Sequence, residues 1–188
     1  MKADKNQIEK EYMNLVSEGF IKEKDPNVSR RIGLMFGKAQ NNLKIAKSIF
    51  EISNSKNIKS TLKLREQDTF YDWTIQASYY AMFHAVNALL ATKKIKISNR
   101  VHVSTYYAFG KHFINTNDLA DDLFIMYGET EEKAQALFSS LAEEKRKRGY
   151  AAYERLPKMN IEPAQESINN AQELLSVIAD ILSKNKFI

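Results

Sequence analysis

The stretch YDWTIQASYYAMFHAVNALLAT, Tyr71 to Thr92, decides the fold. Read as a helix, it sets Trp73, Ile75, Ala77, Tyr79, Tyr80, Met82, Phe83, Val86, Leu89 and Leu90 on nearly every side of the cylinder. A helix that is apolar all round has to be enclosed by other elements, so this one is expected at the centre of a bundle. Gln76, Ser78, His84 and Asn87 make it too polar for a membrane span. Lys93, Lys94 and Lys96 follow it, which suits the negative end of the helix dipole.

Helical periodicity continues on both sides. Toward the N-terminus, Lys5 to Gly19 carries Ile8, Tyr12, Leu15 and Val16 on one face. Gly19 and Asp25-Pro26 end it, so residues 1–26 read as a helical arm and 27–188 as the main bundle. From Asn27 to Ser53 an apolar stripe runs Ile32, Phe36, Ala39, Leu43, Ala46, Phe50, with Asn27 or Ser29 as candidate cap. The polar connection Asn54 to Thr69 is long enough to hold a short element of its own.

Toward the C-terminus, Val101 to Ile114 reads as a shorter helix rich in Tyr106, Tyr107, Phe109 and Phe113. Asn117 followed by Asp118, Asp121 and Asp122 signals the next start, with Leu119, Leu123 and Met126 inward. Gly128 is expected to break or kink that segment before Glu131 restarts it with Ala134, Phe138 and Leu141 inward. A last helix begins near Pro163 and buries Ala164, Ile168, Ala171, Leu175, Ile178 and Leu182. The sum is an all-α bundle of five or six helices around a central one.

Composition narrows the function classes. With 188 residues, 44% hydrophobic and 27% charged, the chain has the make-up of a globular domain. Six glycines and three prolines are few for an all-β fold. The absence of cysteine excludes disulfides, thiolate metal sites and cysteine nucleophiles. The first residues, MKADKNQIEKEY, are charged where a signal peptide would be apolar, so a soluble cytoplasmic protein without a membrane segment is expected. A net charge of +5 permits contact with nucleic acid or another acidic partner without demanding it.

Chemistry has few candidate carriers. The histidines are His84, His102 and His112. His84 lies on the line Trp73, Ala77, Tyr80, His84, Ala88, Ala91, where the alanines allow another backbone to come close. An imidazole there needs a hydrogen-bond partner; it is either a packed core histidine or an acid, base or phosphate contact at a helix junction. The Glu-x-x-His pattern of bundle di-metal sites is missing, since Ala81, Asn99 and Phe109 stand three residues before the histidines. No metal or other cofactor is expected. Continuing the stripe Ala134, Phe138, Leu141 by four and three leads to Lys145 and Arg148. These cations either snorkel past the core end or serve as a placed partner for phosphate or carboxylate. Tyr150 and Tyr153 lie just beyond, where they could stack on a base or pack in the core.

Taken together, Ala77-Ser78-Tyr79-Tyr80-Ala81-Met82-Phe83-His84-Ala85 resembles the signature helix of HEPN-domain proteins, in particular the UPF0332 group. His102, followed by Phe109-Gly110-Lys111-His112-Phe113, is similar to that group's second motif. Arg148 and Tyr153 match the spacing of its third, with Ala152 where Asp is usual. The resemblance spans Asn27 to Leu182 and implies an up-and-down bundle that pairs as a homodimer. It also implies association with minimal nucleotidyltransferases, often as toxin–antitoxin pairs. Many relatives are metal-independent ribonucleases with an Arg-x4-6-His motif; none of Arg30, Arg31, Arg65, Arg100, Arg146, Arg148 and Arg155 has a histidine at that spacing.

Three readings follow. The preferred one is a dimeric protein that binds nucleotide, nucleic acid or a nucleotidyltransferase partner, with Lys145, Arg148, Tyr153, His102 and Tyr80 toward the ligand. The second is a ribonuclease of unusual make-up, with His84 as acid or base and Arg148 against the phosphorane. The third is a structural module whose aromatic, alanine-lined helix serves packing.

Overall fold

A computed structural model describes residues 5–116, 118–132 and 161–188. Its helices are α1 (Lys5–Ser17), α2 (Ile32–Asn54), α3 (Lys56–Thr61), α4 (Tyr71–Thr92), α5 (Val101–Phe109), α6 (121–132) and α7 (Ile161–Lys184). This is the all-α bundle expected from the periodicity. The helix α4 has the bounds read from the sequence, and its alanines 81, 85, 88 and 91 are fully enclosed. α2 and α7 both pack along α4 and touch each other. The stripe of α7 is inward as expected, with Leu174 added to it.

Four local expectations need correction. Trp73, in the first turn of α4, is 64% exposed, at the rim of a cleft it shares with Ile49 and Ile52 of α2. Gly128 neither breaks nor kinks its segment: α6 is continuous through it, and a Cβ there would stand 3.1 Å from the Tyr106 ring, so the glycine admits a close ring contact. The helix Val101 to Ile114 is not uniform either. After Phe109 it widens into a π-helical turn, Gly110–Ile114. Neither candidate cap acts as one: Asn27 makes no side-chain cap bond, and the Ser29 hydroxyl donates to the Ala91 carbonyl at the end of α4.

α1 buries Ile8, Tyr12 and Leu15 in the same core as α4 and packs on α5 and the π-helical turn. It ends with Gly19 at φ +74°, a left-handed position that glycine takes without steric cost. Gly19 N–H donates to the Val16 carbonyl and Phe20 N–H to that of Leu15, the paired bonds of a Schellman motif. The same pair closes α3, α4 and α7, with Lys63, Lys94 and Lys186 in the left-handed position. Lysine gives up some backbone ease there and places a cation at the negative helix end.

After Phe20 the chain forms β1 (Ile21–Lys22), antiparallel to β2 (Lys96–Ile97), with Ile21 opposite Ile97. Two residues are too few to show a strand period in sequence. Asp25 N–H donates to the Lys94 carbonyl. The segment before α2 is therefore fastened to the end of α4.

Gly110 marks the tightest junction. A Cβ added there would stand 2.9 Å from Ile8 Cγ2 and 3.1 Å from Phe124 Cε2. Gly110→Ala should destabilise the protein by about 1–3 kcal/mol through overpacking between α1 and α6. Gly37→Ala, in the middle of α2 with nothing near its Cβ, should stabilise it by about 0.5–1 kcal/mol. Urea unfolding of both variants checks the contrast.

Candidate functional site

Tyr79, Tyr80, Phe83 and His84 follow one another on α4 at spacings that bring their rings together, and His102 joins them from the first turn of α5. The Tyr80 ring lies 6.3 Å from His84 and 6.2 Å from His102. Phe83 stands between the two imidazoles, 5.3 Å from one and 5.0 Å from the other. Three of the residues singled out from sequence, Tyr80, His84 and His102, thus share one face. Lys145, Arg148 and Tyr153 lie outside the described residues.

His84 opens into a groove of about 200 Å³. Arg31 and Lys38 come to it from the start of α2, Asn87 from the next turn of α4, and Leu34, Met35, Ile97 and Val101 add apolar wall. Two cations, a half-buried imidazole and a ring can hold an anion joined to a flat apolar group. Arg31, the residue before α2, and Lys38 were not singled out from sequence, although they stand seven positions apart. Burial, and then the charge of Lys38, hold His84 below its ordinary 6.5. At neutral pH it is uncharged.

His102 turns the Nδ1 edge of its ring toward the core. Its Nδ1 lies 2.5 Å from the Tyr79 hydroxyl. Tyr79 is 2% exposed, and the charge of Glu131 on α6, itself buried, acts on its hydroxyl. The fully buried Tyr127 hydroxyl lies in the same pocket without a hydrogen bond of ordinary geometry. Burial first, then Glu131, raise the Tyr79 hydroxyl well above 10, so it keeps its proton. Burial lowers His102. Sequence reading assigned Tyr79 to the core and Glu131 to a helix start; 52 positions separate them, and no local pattern joins them.

The third histidine belongs to a parallel arrangement. The Tyr12 hydroxyl donates to Glu23 Oε1 at 2.7 Å and lies 2.8 Å from His112 Nε2. This ties α1 to the π-helical turn, beside the Lys111–Glu9 ion pair. Among the described residues no cluster of three His, Asp or Glu side chains could hold a metal ion. No helix among them is long and apolar enough to cross a membrane. A separate apolar cleft of about 320 Å³, lined by Ile49, Ile52, Leu62, Leu64, Phe70 and Trp73, lies at the opposite end of α4.

A family model for the HEPN domain matches residues 46–182, which run from the second half of α2 to the end of α7. The chain belongs to the HEPN domain family. The ring cluster and the Gly110 junction both fall inside the matched HEPN residues, whereas α1, β1 and Arg31 precede them. The Methanocaldococcus jannaschii protein named "Putative toxin MJ0142" is 44% identical over 55 residues, 29% of this chain and 36% of the relative. The match thus spans about a third of the relative's length. No solved structure matches the chain.

All three histidines are held below 6.5, with burial the largest cause in each. Unfolding releases them to their ordinary value, so below about 6.5 the unfolded chain binds more protons. The stabilisation is complete above that pH and is lost as pH falls through the lowered folded values. The melting temperature should therefore hold from pH 8 to 7 and drop from pH 6.5 to 5. Replacing the three histidines with Gln should flatten that drop; an unchanged slope would contradict the burial account.

Proposed function

We propose that this HEPN protein is of toxin–antitoxin type and binds RNA or a nucleotide along the face formed by α4 and the start of α5. It acts as a homodimer, with a minimal nucleotidyltransferase as its partner. The observation that carries the reading is the groove beside His84, where Arg31, Lys38 and Asn87 meet the Phe83 ring. Phosphate oxygens fit the cations, and a base fits the ring and the apolar wall. Family membership and the name of the relative support the toxin–antitoxin type. Tyr80 and His102 extend the face beyond Phe83. Lys145, Arg148 and Tyr153 are assigned to the same ligand on their sequence spacing.

One observation favours a second reading, a metal-independent ribonuclease with His84 and Arg148. His84 is uncharged at neutral pH and half-buried, the state in which an imidazole accepts a proton. The two readings share a site and differ in turnover.

Labelled single-stranded RNA and nucleotides, titrated in EDTA and followed by anisotropy, separate them. His84→Ala and Lys38→Ala are each expected to weaken binding roughly tenfold, the size of one charge-assisted contact. Binding should strengthen as pH falls below 6.5, because the protonated imidazole pairs with phosphate. Wild-type affinity in both variants would remove the groove from the site. RNA cleavage that His84→Ala and Arg148→Ala each abolish would establish the second reading.

A further inference from the structure

Residues 21–31 and 93–100 carry eight lysines and arginines against Glu23 and Asp25, a net charge of +6, while the whole chain carries +5. The remaining residues therefore sum to −1 (5 − 6), and the excess positive charge is confined to two short segments. The fold brings them together. β1 pairs with β2, Asp25 N–H donates to the Lys94 carbonyl, and Ser98 N–H donates to that of Phe20 at 2.7 Å. The register sets Lys22 opposite Lys96, and like charges directly opposite destabilise a strand pair. Both acids have internal partners. Glu23 accepts the Tyr12 hydroxyl, and Asp25 accepts the Asn27 N–H and lies 3.5 Å from Lys96. Lys22, Lys24, Lys94 and Arg100 are exposed and have no ion pair among the described residues.

We propose that this basic ribbon is the path by which a single-stranded RNA leaves the groove beside His84, so that the ligand is a polynucleotide rather than one nucleotide. The inference rests on the groove reading above. The two surfaces are continuous. Arg31 ends the first segment and lines the groove; Ile97 of β2 and Val101 line it as well. Arg100 stands between those two in the chain, its guanidinium 5.6 Å from the Phe20 ring. Successive side chains of a strand alternate, so with Ile97 in the groove Lys96 and Lys22 lie on the opposite face of the ribbon. A strand leaving the groove past Arg100 meets them next. A single nucleotide would be held by Arg31 and Lys38 and would leave the ribbon cations unanswered. A run of phosphates neutralises them and releases its own counterions. β1 and the residues up to Arg31 precede the matched residues 46–182, so this path is built largely from chain outside the HEPN match.

The test is anisotropy with a labelled single-stranded RNA of about twelve nucleotides and with a labelled mononucleotide, in EDTA, over a series of salt concentrations. The variant combines Lys22→Gln, Lys24→Asn and Lys94→Asn. Asparagine tolerates the left-handed backbone of the last two, at φ 58° and 61°. Each phosphate contact to a single strand contributes about 0.7 to the slope of log affinity against log salt. In the variant the slope for the RNA is expected to fall by about 2, with about a hundredfold loss of affinity near 0.1 M salt. Mononucleotide binding is expected to stay at the wild-type value, and the melting curve reports the fold independently. An unchanged slope overturns the proposal even where RNA binds. Equal wild-type affinity for RNA and mononucleotide overturns it and leaves the groove reading standing. Binding of neither removes both. Vesicles of phosphatidylcholine with phosphatidylserine test the other polyanionic surface: tighter binding to them than to the RNA, lost in the variant, overturns the RNA path.

Discussion

The enclosure of α4 is the constraint from which the other features follow. Its alanines 81, 85, 88 and 91 are fully buried, and they let neighbouring backbones approach closely. Met82, Val86, Leu89 and Leu90 fill the intervening directions and are equally enclosed. Each buried aliphatic side chain of this size contributes about 1.5–3 kcal/mol relative to exposure. A helix that must be covered on all sides calls for partners of matching length, and α2 and α7 supply two of them. The side left over at the C-terminal half is covered by α5, itself held by α1.

Polar groups on such a helix are costly to leave without partners. Tyr79 meets His102; Asn87 donates to the Phe83 carbonyl at 2.8 Å and to the Thr105 hydroxyl at 3.2 Å. Of the polar groups that would make α4 a poor membrane span, Asn87 connects it to α5 through Thr105. The face on which chemistry is proposed is also the seam that joins these helices.

The N-terminal segment enters the same core from a distance in sequence. Ile8 meets the Gly110 junction, Tyr12 meets His112, and β1 pairs with β2 just after α4. Arg31, which follows this segment, reaches the groove beside His84. The HEPN match begins at residue 46, so part of the groove is built from chain that precedes the matched residues. Differences in that leading segment among relatives would alter the cation content of the groove without touching the signature helix.

What could be read from the sequence was whatever one helix dictates by itself. The all-round apolar character of Tyr71 to Thr92 identified the central helix, and the three- and four-residue stripes of Ile32 to Phe50 and Ala164 to Leu182 identified the helices that cover it. The motif Ser78-Tyr79-Tyr80-Ala81-Met82-Phe83-His84 could set Tyr80 and His84 side by side for the same reason: its members lie within two turns of each other. Tertiary structure alone decided what depends on separate segments meeting. Gly128 looks like a helix breaker in isolation, and the Tyr106 ring against it supplies a reason for glycine within a continuous helix. Arg31 and Lys38 become a groove only when α2 lies beside His84. His102 and Tyr79 are 23 positions apart, and a hydrogen bond between such residues has no period in sequence. Helical periodicity is a local property of the backbone and is written in spacing; the partner of a buried hydroxyl is set by which helices pack together, and only the folded chain contains that.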